Sequence, residues 1–450
     1  MSYNFREYDM DQQYLLPPSI RDWVPEGSLA HFVEAVVEKL HERGKTKDIF
    51  DKYRADGWGR AAYHPLMLLK ILLYAYCLGM TSSRKIARAL ESDACFRFLS
   101  GNQLPDFRTI SDFRKRHLDS FQDLFVSVLE LCKESGLVSF GCIALDGCKI
   151  HANANRKRSK PKSGIEAERE ELADVVADVL KKAEEADQQE EEAYADARGD
   201  ELPKDLRSAK DRLRRLDECM DLLEERERKE QEEYEAKLER YKKKKSGRMP
   251  LPPDQLKERR RGLTNPTDPD SRVMKREGGY WIQGYNGQAA ADCSSQVIVA
   301  QGLTNQTNDL HQLEPMLERV LEQGGQYPGK LLADSGYFSD GNIAACEGKT
   351  DFFAPGVKSW KPSEEYEVPR GRIPKDLPRR DRMQRKMATQ LGKKLSKLRG
   401  ASIEPVFGQM WSRGLTRFCL RGMKKAKAEW ALWCATHNLL KLHRANVQLA

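Results

Sequence analysis

No run of ~18 apolar residues occurs anywhere in the 450-residue chain, which argues against a transmembrane helix. No Cys-x-x-Cys pair occurs among its ten cysteines, and several, such as Cys77 and Cys434, sit inside apolar runs. They read as reduced, buried thiols rather than a disulfide frame or a zinc site. The opening MSYNFREYDMDQQ is polar and acidic, without a secretory signal. No short internal repeat is evident. These absences point to a soluble, cytoplasmic protein, bacterial in style. With 32% charged and 39% hydrophobic residues and a mean hydropathy of -0.71, the chain is too polar for a membrane protein. It is also too apolar in places to be wholly disordered. Its 77 Lys+Arg stand against 69 Asp+Glu, so the distribution of charge matters more than the net +8. The length suits about three domains of ~150 residues and a real core.

Residues 1–135 read as an all-helical N-terminal DNA-binding domain. Ser28 is placed to cap a helix in which Leu29, Phe32, Val33, Val36, Val37 and Leu40 keep helical spacing. LMLLKILLYAYCLGM, after His64-Pro65, is apolar almost all round and predicts the central helix of a bundle. Short helical pieces follow, with Arg84, Lys85 and Arg88 on one and Arg114, Lys115 and Arg116 on another. They resemble a helix-turn-helix surface for DNA; a solvated basic face on a bundle fits the same residues equally well.

From residue 136 the texture turns to strand. LVSFGCIALDGCKI stops at Asp146-Gly147, and YWIQGYNGQAAAD (280–292) and SQVIVAQGLT (295–304) supply two more strands. A helix at about 310–323, a strand KLLAD (330–334), a helix at 340–347 and a strand DFFAP (351–355) complete the set. Three strands, a helix, a strand, a helix and a fifth strand is the order of an RNase H-like α/β core with a mixed sheet. The core spans 136–165, with the first strand and a basic loop, and 263–356 for the rest.

Two insertions interrupt it. Within 166–262, 47 of the 80 residues from 166 to 245 are charged. Leu206, Ala209, Leu213, Leu216, Met220 and Leu223 form a heptad seam, and Leu172, Val175, Val179 and Ala183 a shorter stripe. With a turn at Gly199 to Pro203 this predicts a long charged helical hairpin; a lone solvated helix or a partly disordered tract is the plainer reading. The second insertion, 357–400, has 14 Lys/Arg against 5 Asp/Glu and several prolines. It is expected to build no core and either to follow an acidic polymer or to stay mobile. Helices close the chain over 401–450.

Three acidic residues stand out by position. Asp146 ends the first strand, Asp334 ends the fourth, and Glu404 opens the helix after the basic insertion. In a sheet of this order the ends of the first and fourth strands lie side by side, and a following helix can deliver a third carboxylate. Three clustered carboxylates repel unless a divalent cation neutralises them. Mg²⁺ suits an open oxygen site completed by phosphate oxygens, and two such ions serve in-line attack on a phosphodiester. Each acid also has a dull explanation: a turn Asp-Gly, a capping Asp, and a Glu favoured by the helix dipole.

ALDGCKIHANAN, then LLADSGYFSDGN, then EPVFGQMWSRGLTRFCLRG resembles bacterial insertion-sequence transposases of the Asp-Asp-Glu class, in particular the insertion-sequence eleven-eighty-two family. YHPLMLLKILLYAYCLGMTSSRKIARAL resembles the helical domain that precedes the catalytic core there. The resemblance implies that Asp146, Asp334 and Glu404 are catalytic and hold two Mg²⁺ (or Mn²⁺) ions. It also implies double-stranded DNA as partner, both terminal inverted repeats and target, and a homo-oligomeric synaptic complex at the nucleoid. Related transposases place Tyr, Arg and Lys around the Glu; the corresponding positions hold Lys397, Gly400 and Trp411, so Arg399 and Arg413 are the nearby candidates for phosphate contacts.

Arg156, Lys157 and Arg158 lie in the basic tract RKRSKPK, which fits backbone phosphates or a solubilising linker. His151, Asn153 and Asn155 read first as a polar loop, His437-Asn438 as a satisfied buried pair, and Trp360 and Tyr366 as exposed aromatics able to stack on an unpaired base. The reading is a DNA transposase. Its rivals are a catalytically inactive transposase-derived DNA-binding protein, a coiled-coil scaffold and a plain nuclease.

Overall fold

The structure is a computed structural model and describes residues 19–53, 61–191, 204–244, 249–250, 252, 263–276, 278–356, 371–374 and 376–447. Seven helices open it: α1 (Leu29–Glu42), α2 (Lys47–Phe50), α3 (Pro65–Cys77), α4 (Ser83–Ser92), α5 (Ala94–Leu99), α6 (Phe107–Arg116) and α7 (Ser120–Glu134). Ser28 caps α1 by accepting from His31 N, and Val33, Val36, Val37 and Leu40 turn inward as their spacing predicts. In α3 every residue but Lys70 is buried. Lys70 reaches out to an ion pair with Glu38.

The sheet strands are β1 (Cys142–His151), β2 (Arg272–Lys275), β3 (Trp281–Asp292), β4 (Ile298–Thr304), β5 (Lys330–Leu332) and β6 (Asp351–Phe353). The chain also forms α8 (Lys162–Glu191) and α9 (Lys204–Lys244) between β1 and β2, α10 (Leu313–Gly324) before β5, and α11 (Asp340–Cys346) before β6. α12 (Arg379–Ala388), α13 (Gln390–Ser412) and α14 (Met423–Arg444) follow. The order across the sheet is β2-β3-β1-β5-β6, with β4 also on β3. β3 runs antiparallel to β1 and β4, whereas β5 and β6 run parallel to β1. That is the mixed sheet the element order predicts. The four-residue β2 adds a strand that its short RVMK sequence did not signal.

The helices and the sheet share one core. α14 packs on α7, α3 and β4, with Trp430 and Trp433 fully buried. The pair His437-Asn438 is satisfied, as expected. His437 Nε2 donates to Gln296 O at 2.9 Å, and Asn438 accepts from Ile298 N and donates to Ile298 O, both at 2.8 Å. The Asn438 amide thus stands in for a missing neighbour strand at the edge of β4.

Three expectations need correction. β1 does not stop at Asp146-Gly147 but continues to His151. Gly147 is there for close approach rather than for a turn: a Cβ would lie 2.3 Å from Gln288 Nε2 and 2.7 Å from Asp309 Oδ1. Glu404 does not open its helix but lies well inside α13, so the helix dipole does not explain it. The basic insertion is not wholly coreless: α12 and the start of α13 fall within it, and Met383 and Leu395 are buried. Its Arg379 and Arg382 pair with Glu347, and Lys386 with Asp351, so acids on neighbouring elements pair with three of its cations.

α8 and α9 lie antiparallel, as the ion pairs Lys162–Glu227 and Arg169–Asp217 require. Ile165, Leu216, Cys219 and Leu223 form a small buried seam between them. The expected turn at Gly199 to Pro203 lies outside the described residues, as do Trp360 and Tyr366. All ten cysteines are free. Among the described residues no helix is long and apolar enough to cross a membrane.

One buried group carries a pH effect. His117 is fully buried, between the rings of Tyr53 and Phe113, and neither ring nitrogen has a hydrogen-bond partner. Burial, then the charges of Lys52 and Arg116, push its pKa down to about 4. The unfolded imidazole titrates near 6.5, so His117 is expected to weaken the fold progressively as pH falls from ~6.5 towards 4. His117→Phe is expected to flatten that limb in unfolding midpoints measured across pH; an unchanged acid limb would remove His117 as its cause.

Candidate active site

Asp146 sits mid-strand in β1, where parallel pairing with β5 sets Ala144 opposite Leu332. Two residues further on, the same register brings Asp146 beside Asp334, which follows β5 and caps a 3-10 turn by accepting from Gly336 N at 2.8 Å. Adjacent strands lie ~4.8 Å apart, so the two carboxyls share the same edge. Burial first, then the charge of Asp334, push the Asp146 carboxyl up to about 7. Arg399 and the Gly147 amide oppose that shift.

Glu404 reaches the site through Arg399. One guanidinium nitrogen donates to Asp146 Oδ2 at 2.9 Å and another to Glu404 Oε1 at 3.1 Å. The Glu404 side chain is 65% exposed, that of Arg399 only 17%. Pro405 removes a donor from α13, and Ala401 O accepts instead from Gln296 Nε2 at 3.4 Å. Arg399 therefore stands in the acidic site itself.

Sequence reasoning missed the polar wall beneath Gly147. Asp309 accepts from Lys149 at 3.0 Å, Asn286 at 2.6 Å and Gln288 at 2.8 Å. The buried Tyr337 hydroxyl donates to Gln288 Oε1, and its pKa is raised by burial and by Asp309, Asp146 and Asp334. Asp309 lies in an irregular segment between β4 and α10, with no strand or motif to mark it. The one available signal was the Asp-Gly glycine, whose lost side chain makes room for this wall.

Could these residues hold a divalent cation? Among the described residues no three His, Cys, Asp or Glu side chains stand close enough to ligate one ion. The Asp146–Asp334 pair nevertheless fits one. It is a half-buried, mutually repelling carboxylate pair at which an oxygen-seeking cation would relieve the repulsion. Arg399 stands between Asp146 and Glu404 and donates to both.

The expected DNA-contacting residues divide. Arg84, Lys85, Arg88, Arg156, Lys157 and Arg158 are exposed. Arg114 is not: it is 5% exposed and donates to Tyr76 Oη, Thr81 O and Ser83 Oγ. Arg413 also turns inward, over the Trp433 ring, with Nε on Gln409 O. Both corrections share a cause: Arg114 on α6 packs against α3, and Arg413, just past the end of α13, packs against α14. Asn155 holds the local turn by accepting from Lys157 N, and Asn153 ties the loop to the distant Cys419 by donating to its carbonyl.

No curated protein and no solved structure matches the chain. Asp334 and Glu404 fall within residues 261–439, a stretch with a family match, whereas Asp146 lies upstream of it. Residues 18–116 match the family model of a transposase domain (DUF772) and residues 261–439 that of the transposase DDE domain, so over these two stretches, together more than half its length, the chain is similar to transposases of the DDE type.

Proposed function

We propose that the chain is a DNA transposase of a bacterial insertion sequence, of the eleven-eighty-two kind, that cuts at transposon ends and joins the freed 3′-hydroxyl to target DNA. The observation that carries this reading is the placing of Asp146 on β1 near Asp334, just past the end of the parallel neighbour β5, with Glu404 tied to Asp146 through Arg399. The sheet order, that of an RNase H-like core, and the transposase DDE match support it.

In this reading Asp146, Asp334 and Glu404 hold Mg²⁺ or Mn²⁺, two ions in the full site. Bound there, such ions activate the attacking oxygen and neutralise charge on the leaving one. The chain's own residues prepare the place. Arg399 holds Asp146 and Glu404 in position and offers a guanidinium fork suited to a phosphate. Asp309, Asn286 and Gln288 brace β1 from the other side. Exposed Arg84, Lys85 and Arg88 on α4 supply backbone phosphate contacts to terminal repeats, a salt-sensitive affinity. The α8–α9 hairpin is a subunit or DNA contact in a synaptic homo-oligomer, and DNA is the partner that would place the protein at the nucleoid.

The test is cleavage of DNA carrying the sequences that flank this gene, with Mg²⁺ or Mn²⁺. Cation-dependent cuts at the repeat ends, followed by joining of those ends to other DNA, are expected. Cutting without joining would make it a nuclease. Binding without cutting would make it an inactive derivative, and neither binding nor cutting would leave the scaffold.

A further inference from the structure

An open cleft of about 510 Å³ lies beyond the acidic site, where β1 ends. His151, which lines it, stands about 16 Å along the strand from Asp146 at ~3.3 Å per residue. Trp281, the first residue of β3, lines the same cleft with 53% of its surface exposed. Around it stand Arg156, Arg158, Arg417 and Arg421, and among the described residues no carboxylate lines the cleft.

The cleft is built rather than incidental. Phe418 N donates to His151 O at 2.9 Å, fixing the Arg417 backbone against β1. Arg421 Nε donates to Asn153 O at 3.0 Å. A second cleft of about 410 Å³ shares Arg158 and Thr267 with the first and adds Lys157, Lys160, Arg212 and Arg215 at the base of the hairpin. Glu168 offsets Lys160 and Arg212 there. A cationic track therefore runs from Trp281 towards α9.

We propose that this cleft binds a single strand of DNA, one base stacked on the Trp281 indole and the flanking phosphates held by Arg156, Arg158, Arg417 and Arg421. The proposal rests on the preceding reading only for the choice of DNA as the polymer. An exposed indole beside guanidinium groups suits an aromatic ring joined to phosphates, and arginine forks match phosphate oxygens. A single strand fits better than a duplex, because the bases of a duplex have no free face to stack. A cleft of this size has room for a nucleotide. The bound base would lie within a few nucleotides of a phosphate at Asp146.

The test withholds divalent cation. In EDTA, fluorescence anisotropy compares a labelled oligothymidylate of about 12 nucleotides with a blunt duplex of equal length, a length within the range such grooves cover. W281A is expected to weaken single-strand binding by at least ~5-fold, to leave duplex binding unchanged, and to be rescued by W281F. Arg417→Ala with Arg421→Ala is expected to flatten the single-strand salt dependence by about one to one and a half in log–log slope. Wild-type affinity in W281A, or an equal loss on both DNAs, overturns the proposal; so does failure of W281F to rescue. Without the cation the assay is blind to cleavage, so failure of the transposase reading and failure of this one stay separate.

Discussion

Asp146→Asn and Asp334→Asn are each expected to lower cation-dependent DNA cleavage on the order of 10³-fold, equivalent to ~4 kcal/mol of lost charge stabilisation. The geometry singles out these two. Asp146 stands on β1 and Asp334 just past the end of its parallel neighbour β5, and burial together with the charge of Asp334 raises the Asp146 pKa. An amide keeps the shape but surrenders the charge that a divalent cation needs. Glu404→Gln is expected to fall on the lower side, ~10²-fold, because that side chain is mostly exposed and reaches the pair through Arg399. Unfolding midpoints should stay near wild type, since none of the three fills an apolar part of the core. Wild-type cleavage by Asp334→Asn would move the active site elsewhere.

What could be read from the sequence follows from what each signal encodes. Strand and helix texture from 136 to 356 gave the element order, and chain connectivity then left few ways to arrange a mixed sheet. Asp146 and Asp334 stand out in the sequence because each closes a run of strand texture. Glu404 reads from the sequence as the opening of a helix, whereas α13 runs through Pro405, with Ala401 O accepting from Gln296. Asp309 gave no local signal, because its meaning comes from three partners on β1 and β3. Arg399 was read as a phosphate contact from proximity alone; that it bridges two acids depends on how α13 crosses β1. Charge counts do not show that Glu347 and Asp351, outside the stretch after 371, pair with three of its cations.

Arg114 shows the same limit with an energetic consequence. By sequence it belongs to a basic cluster with Lys115 and Arg116, yet α6 turns it inward to Tyr76, Thr81 and Ser83. Its charge also acts on Glu429, which is 2% exposed and accepts the backbone amides of Cys419 and Leu420. Burial raises the Glu429 pKa, and the charge of Arg114 is the largest influence pulling it back. Arg114→Met is therefore expected to cost about 3–5 kcal/mol, because it strands a buried carboxylate and leaves the Thr81 carbonyl without its arginine donor. Urea unfolding would show this as a large fall in midpoint. Adding Glu429→Gln should cost less than the sum of the two single changes, since the carboxylate would already be gone. Arg84→Ala, on the exposed face of α4, is expected to change stability by less than ~0.5 kcal/mol and to weaken DNA binding instead. The opposite pattern, a stable Arg114→Met with weakened DNA binding, would return Arg114 to the DNA-contacting surface.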